Sequence, residues 1–117
     1  MKLEQWQGAW QQLIGPGSPY EVLQTPGSGH KYFRHTAANV WAAIDSGRVH
    51  GDREFLVWEQ QRLSFSQFFD QVDRLAGQLV QRFGVRPGDR VAIAMRNQPA
   101  WLVAFAAIQR CGAVCVP

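Results

Sequence analysis

Three histidines, two cysteines and nine carboxylates carry the reactivity for catalysis or metal binding in this 117-residue sequence, and their spacing gathers them into no working set. His30, His35 and His50 lack Cys, Asp or Glu companions at zinc-ligand intervals, so no metal site is assigned and water-exposed loop histidines account for them. Cys111 and Cys115 stand four apart across a helix stop and an apolar run. C-x3-C is not the redox C-x-x-C, and such thiols pack as small hydrophobes. Asp52, Glu54, Asp70 and Asp73 offer carboxylate pairs without the burial that raises a pKa for general-acid work. Neither Gly-x4-Gly-Lys-Ser/Thr nor Gly-x-Gly-x-x-Gly after a strand occurs, and Gly15-Pro16-Gly17 and Gly27-Ser28-Gly29 read as turns. No catalytic residue is assigned. One polar group, Arg96-Asn97-Gln98, follows an apolar run at the place where open α/β sheets bind ligands, beyond the carboxyl end of a strand. Arg96 and Asn97 read either as the polar rim of an active site or as a surface arginine beside a helix-capping asparagine.

The elements that hold these residues follow from periodicity. Leu3, Trp6, Trp10, Leu13 and Ile14 recur at helical spacing and predict a short amphipathic helix, ended by Gly15-Pro16-Gly17-Ser18-Pro19. Tyr20 to His35 shows little periodicity and a break at Pro26-Gly27-Ser28-Gly29. A meandering surface segment is expected there, packed through Tyr20, Val22, Leu23, Tyr32 and Phe33. Asn39–Ile44 predicts one short helix stopped by Ser46-Gly47. Glu54–Glu59 and Arg62–Phe65 are extended runs joined by Gln60-Gln61, a hairpin whose turn lacks the glycine or asparagine of primed turns. Phe65, Phe68, Phe69, Val72, Leu75, Ala76, Leu79, Val80 and Phe83 keep the helical 3, 4 spacing for five turns. Ser64 and Gln67 have capping-box spacing at the start of that helix, and Gly84 is a left-handed stop.

Val85–Arg90 predicts a tight turn through Pro87 and Gly88, leading into the apolar run Val91–Met95. A strand without polar alternation is expected to be covered on both faces. Asn97 and Pro99 open a helix over 99–111 that is apolar nearly all round, Gly112 ends it, and Ala113–Val116 is a second buried strand. Trp41, Trp58 and Trp101 lie on apolar stripes and predict core. Strand, helix and strand make a right-handed βαβ unit. The fold class is α/β, the N-terminal portion of a doubly wound domain: β-hairpin, long amphipathic helix, βαβ unit, incomplete sheet. Residues 1–35 are expected as a helix and irregular segment, and residues 36–117 as a partial α/β domain. An apolar strand edge with no further partner invites association.

Composition narrows the classes. With 46% hydrophobic and 18% charged residues the chain is globular, not disordered. The net charge of +3 arises in the second half, where Arg62, Arg74, Arg82, Arg86, Arg90, Arg96 and Arg110 outnumber four acids. These arginines are scattered singly, without the basic stripe of a nucleic-acid surface, so no nucleic-acid partner is expected. Two cysteines make no disulfide framework, Met1–Trp6 carries no signal-type apolar core, and no run approaches the roughly 18 apolar residues of a membrane span. A cytoplasmic setting is expected.

The run Val85-Arg86-Pro87-Gly88-Asp89-Arg90-Val91-Ala92-Ile93-Ala94-Met95-Arg96-Asn97, with Pro99, Trp101 and Gly112-Ala113-Val114-Cys115-Val116-Pro117, resembles the early core motifs of adenylate-forming enzymes, the AMP-binding acyl-CoA synthetase superfamily. Gly88, Asp89, Arg90, Asn97 and Gly112 are the structural motif positions. Leu63-Ser64-Phe65 resembles the Leu-Thr-Tyr strand end of that family. Gly51–Val57 and Gly15–Val22 are similar to its fatty-acid–CoA ligase branch. Ala100 stands where an acidic residue is common, and Cys111 and Cys115 replace commoner small or aliphatic residues. The resemblance implies a two-step reaction: a carboxylate attacks ATP, giving an acyl-adenylate and pyrophosphate, and coenzyme A displaces AMP. It implies ATP, Mg²⁺ and coenzyme A as cofactors of a parent enzyme, and a fatty or other carboxylic acid as substrate. In the family pattern the phosphate loop, acyl pocket and mobile lysine domain lie beyond the matched stretch, so no cofactor is expected on this chain. The expected partner is the remainder of a parent enzyme or a second copy. The other reading is a stand-alone, non-catalytic module that associates through its sheet edge or apolar patch.

Overall fold

The spacing of Leu3, Trp6, Trp10 and Leu13 is realised as α1, Leu3–Ile14, in the computed structural model, which describes residues 2–117. Its apolar stripe stays open to solvent, with Trp6 and Trp10 both about half exposed. Val22–Gln24 (β1) and Lys31–Phe33 (β2) pair antiparallel, Val22 opposite Phe33. The segment expected to meander is therefore a hairpin, and the Pro26–Gly29 break is its turn, with Gly27 and Gly29 at positive φ. Every residue of β2 is exposed, so the polar–apolar alternation that marks a half-buried strand is absent. For the same reason Tyr20, Tyr32 and Phe33 do not pack as expected. Residues up to Ala37 form one unit and those from Ala38 another.

In the second unit Asn39 caps α2, Val40–Asp45, its side-chain oxygen accepting from the Ala42 N–H at 2.8 Å. Ser46-Gly47 does not stop the winding. The chain tightens into a 3₁₀ helix, Ser46–His50, and leaves it at Gly51 with φ 55°. Glu54–Trp58 (β3) and Gln61–Ser64 (β4) form the predicted hairpin, but Trp58 pairs with Gln61. The turn is thus Glu59-Gln60, and Glu59 takes φ 52°. Left-handed backbone costs a non-glycine residue about 1–2 kcal/mol, which the ladder on either side offsets. Trp58, expected in the core, is 37% exposed on this hairpin.

Phe65–Gln81 is α3, and Ser64 and Gln67 make the predicted reciprocal cap: the Gln67 N–H donates to the Ser64 hydroxyl and the Ser64 N–H to the Gln67 side chain. Gly84, at φ 68°, follows as the left-handed stop. Phe68, Phe69, Val72 and Ala76 are buried, whereas Val80 and Phe83 are not. Phe83 lies past the last helical residue, and Val80, on the final turn, is 49% exposed.

Arg90–Ala92 (β5) and Val114–Val116 (β6) are parallel neighbours, joined through α4, Pro99–Arg110. Val103, Ala106 and Ala107 of α4 meet Phe68, Phe69, Val72 and Ala76 of α3 in one core cluster, and Ala104 and Ile108 join Ile93 and Ala113 in a second. Trp41 and Trp101 are half-buried against these clusters, Trp101 stacking on Phe105 at 5.6 Å. A buried Phe or Val contributes about 1.5–3 kcal/mol, so the α3–α4 seam is the main source of stability in this unit. The strands depart from expectation. The ladder spans three residues, and Met95, Val114 and Val116 are 45%, 49% and 43% exposed. Helices cover one face of the pair, and among the elements of this unit none covers the other.

Candidate functional site

The βαβ unit has two polar ends, and they do different things. At the amino ends of the strands, Gly88 takes φ 87° and its N–H donates to the Gly112 carbonyl at 2.9 Å. Gly112, at φ 70°, leaves room for Pro87: a β-carbon there would lie 3.3 Å from the Pro87 Cβ. The Asp89 carboxylate accepts from the Arg86 N–H at 2.8 Å, and its carbonyl accepts from the Val114 N–H at 2.7 Å. Gly88, Asp89, Arg90 and Gly112 therefore meet in one place and hold the register in which Arg90 faces Val114. They set geometry: the Asp89 side chain, though exposed, is engaged by the Arg86 N–H.

Beyond the carboxyl end of β5, Arg96 and Asn97 are exposed. Asn97 does not cap α4. Gln98 is the N-cap, extended at φ −145° and without a side-chain bond to the first turn. The reason is Pro99: its ring pushes the preceding residue out of the helical region, so the last extended position falls on Gln98. Gln98 and Pro99 close one side of a cleft of about 530 Å³, whose other walls include Trp58, Gln61 and Arg62 of the hairpin and Gln71 of α3. Arg96 and Asn97 do not line it. Arg62 is already paired with Glu54 at 2.6 Å. The cleft thus presents amides and an indole with no free charge or nucleophile, an arrangement suited to binding and not to bond making.

Two ion-pair sites escape local sequence reading. Asp73 accepts from Arg48 at 2.6 Å and also from Arg110, while Arg48 reaches Asp45 at 2.7 Å. The Arg48 guanidinium lies over the Phe69 ring at 4.4 Å, and that of Arg110 over Trp41 at 5.4 Å. The Asp73 bond, opposed by burial and helped by Asp45, raises the Arg48 pKa. These contacts tie the 3₁₀ helix, α3 and α4 together. Asp73 lies 25 residues from Arg48 and 37 from Arg110, and no spacing rule spans such gaps. In the first unit Glu21 is only 5% exposed. Its carboxylate accepts from the Gly17 N–H and from Arg34, both at 3.0 Å. The Gly17 bond first, and Arg34 second, hold its pKa below the ordinary 4.5. Burial acts the other way and ranks behind both bonds.

Cys111 and Cys115 are free and half-buried. Burial raises both thiols, with Arg110 acting the other way on Cys111, which leaves them poor nucleophiles at neutral pH. His50 rests against the Phe65 ring at 4.7 Å. Among the described residues no group of three or more His, Cys, Asp or Glu is placed to hold a metal. No helix among them is long and apolar enough to cross a membrane. The side chains of the described residues therefore do not fit Mg²⁺.

The family model for AMP-binding enzymes matches residues 44–117. Over 92 residues the chain is 37% identical to an acetyl-coenzyme A synthetase of Allorhizobium ampelinum, a match covering 72% of this chain and 14% of that protein. Over 70 residues it is 39% identical to the medium/long-chain-fatty-acid–CoA ligase FadD6 of Mycobacterium tuberculosis, covering 60% of this chain and 12% of the relative. Among solved structures it is similar to NpsA-ThdA, an artificially fused adenylation–PCP di-domain NRPS from Klebsiella oxytoca. The TM-score is 0.65 and the identity 26%, over 71% of this chain and 16% of that one. The matches thus span 14% and 12% of the lengths of these two curated relatives.

Proposed function

This chain belongs to the AMP-binding enzyme family, and from that premise we propose that it is the opening part of the large domain of an ATP-dependent acid–CoA ligase. Such an enzyme joins a carboxylate to AMP with release of pyrophosphate, then passes the acyl group to coenzyme A. The observation that carries the reading is the β5–α4–β6 unit with its Gly88–Gly112 contact, which lies inside the matched stretch. On this reading residues 88–116 are scaffold, and the groups that hold ATP, Mg²⁺ and the acid come from elsewhere in the parent. The likeness to FadD6 and the run Gly51–Val57 favour a fatty acid as the substrate. The likeness to an acetyl-coenzyme A synthetase makes acetate the competing acid, and that to an adenylation–PCP protein makes a carrier thiol the competing acceptor.

The reading frame beyond Pro117 is the first test. An in-frame Ser/Thr/Gly-rich phosphate loop supports the ligase reading, and a stop codon removes it. The second is pyrophosphate release with ATP, Mg²⁺ and acetate, octanoate or palmitate. Residues 1–117 alone should stay at background; acid-dependent release by them would overturn the scaffold role. The polypeptide containing the phosphate loop should respond to octanoate or palmitate above acetate.

A second reading, a stand-alone module that associates with its own kind, draws support from the exposed Met95, Val114 and Val116. A contiguous apolar face of this sort seldom stays bare in a monomer. Light scattering at tens of micromolar should then report a dimer or higher oligomer, and a monodisperse monomer would remove that reading.

A further inference from the structure

We propose that the aromatic-walled cavity between the 3₁₀ helix and α3 is a binding site for one small neutral aromatic molecule, of one ring or two fused rings. The cavity holds about 260 Å³ and lies wholly within residues 43–106. Phe55, Phe65, Phe68 and Phe69 form its wall, with Leu102 and Ala106 of α4 behind them. Their rings already make an aromatic chain: Phe55 stacks on Phe65 at 4.4 Å and meets Phe68 at 4.9 Å, and Phe68 meets Phe69 edge-on at 5.2 Å. Phe55 and His50 already rest on Phe65, and Arg48 lies over Phe69. One more ring would therefore meet this set mainly at ring edges and at the face of Phe55 turned from Phe65, in the edge-to-face or offset geometries that aromatic pairs favour.

The lining selects against charge. No Asp, Glu, Lys or Arg contributes to it. Its polar groups are Ser46, whose hydroxyl already donates to the Ala43 carbonyl at 2.7 Å, and His50, whose ring rests on Phe65. A water needs two to four polar partners to be held in place, and this wall does not supply them. An apolar cavity of about 150 Å³ is enough to take benzene. The volume here admits a substituted ring or an indole-sized molecule.

Gly47 is the independent observation. Its φ is not in the left-handed region, so the backbone does not require glycine. What requires it is space: a β-carbon would stand 3.3 and 3.4 Å from two atoms of the Phe65 ring and 3.6 Å from Phe69. The missing side chain lets Phe65 and Phe69 close against the 3₁₀ helix in the positions that form this wall, and a methyl there would displace them. The site shares no residue with the Gln98 cleft or with the Gly88–Gly112 turns, so it stands or falls apart from the ligase reading.

The test is ligand-observed NMR titration of the 117-residue chain with toluene, indole and benzoate, without ATP. Saturable binding of toluene and indole is expected, with benzoate at least tenfold weaker. Gly47→Ala should weaken toluene binding at least tenfold. Gly77→Ala should leave it unchanged, because that helical glycine has nothing within 4 Å of its absent side chain. Ala43→Leu, at the exposed rim, should weaken binding as Gly47→Ala does and decides the matter if Gly47→Ala does not fold. Absence of saturable toluene binding up to its solubility limit would overturn the proposal. So would benzoate binding as tightly as toluene, or unchanged affinity in Ala43→Leu.

Discussion

Eleven hydrophobic residues are buried between Phe68 and Ala113, whereas between Lys2 and Ala37 the buried residue is a glutamate. The longer unit has two helices whose apolar faces cover each other and a strand pair. The shorter unit has one helix and a three-residue ladder, and its large apolar side chains, Trp6, Trp10, Tyr20 and Phe33 among them, stay about half exposed. Small segments bury a smaller share of their surface, so burial alone does not organise them. Glu21 supplies an alternative: one carboxylate that accepts from Gly17 and Arg34 fastens the chain ahead of β1 to the chain after β2. The contrast teaches that one chain uses two means of ordering backbone. One is non-directional and scales with area; the other is directional, local and sensitive to pH.

The contrast breaks most sharply at Phe68, which is 2% exposed. Phe68→Ala should destabilise residues 38–117 by about 3–5 kcal/mol, through lost transfer energy and the cavity left behind. Urea unfolding followed by circular dichroism measures this, and a loss below about 1 kcal/mol would mean that the α3–α4 seam is not the main support. Gly112→Ala comes next. It places a left-handed backbone on an L residue and a methyl against Pro87, and should cost about 1–2 kcal/mol. Amide exchange of Val114, whose N–H donates to Asp89, should quicken first.

Asp73→Asn should cost less, about 1 kcal/mol, and the loss should shrink in high salt. Asp73 and its arginines are each more than a third exposed, so solvent screens much of the attraction. A large, salt-independent loss would place these ion pairs on a level with the hydrophobic seam. The smallest effect sharpens the comparison by pH. Because the folded Glu21 carboxyl titrates below 4.5, its bonds contribute stability that is complete above about pH 4.5 and lost as pH falls through the folded value. Exchange protection at Gly17 and Arg34 should fade in that window, and Glu21→Gln should abolish the pH dependence. Equal fading at Val103 and Ala107 would mean that acid acts on the whole chain.

Much of the second unit was legible in advance. The nine-residue apolar stripe, the Ser64–Gln67 box and the glycine at 84 announced α3, and the apolar runs around 99–111 announced a parallel pair joined by a helix. The β1–β2 hairpin was not legible, since periodicity reports burial and its residues hide almost nothing. The cap of α4 was misplaced on Asn97 because capping preference favoured the asparagine, while the steric effect of Pro99 on its neighbour decided for Gln98. The candidate rim, Arg96 and Asn97, stands apart from the cleft that Gln98 begins.

By itself the sequence determined what depends on neighbours within about one turn. That includes the span and reciprocal cap of α3, the positive φ of the glycines at 84 and 88, and the extended runs of the β3–β4 hairpin. These are matters of dihedral preference and side-chain spacing, and both are local. The tertiary structure alone decided which apolar residues are covered. Val72 is fully buried and Val80 half exposed on the same helix, because α4 passes over one and not the other. It alone decided that Asp73 receives two arginines from 25 and 37 residues away, and that the room beside Gly47 is walled by rings from β3 and α3. Coverage and long-range pairing depend on where distant segments come to rest, and that is set by the packing of the whole.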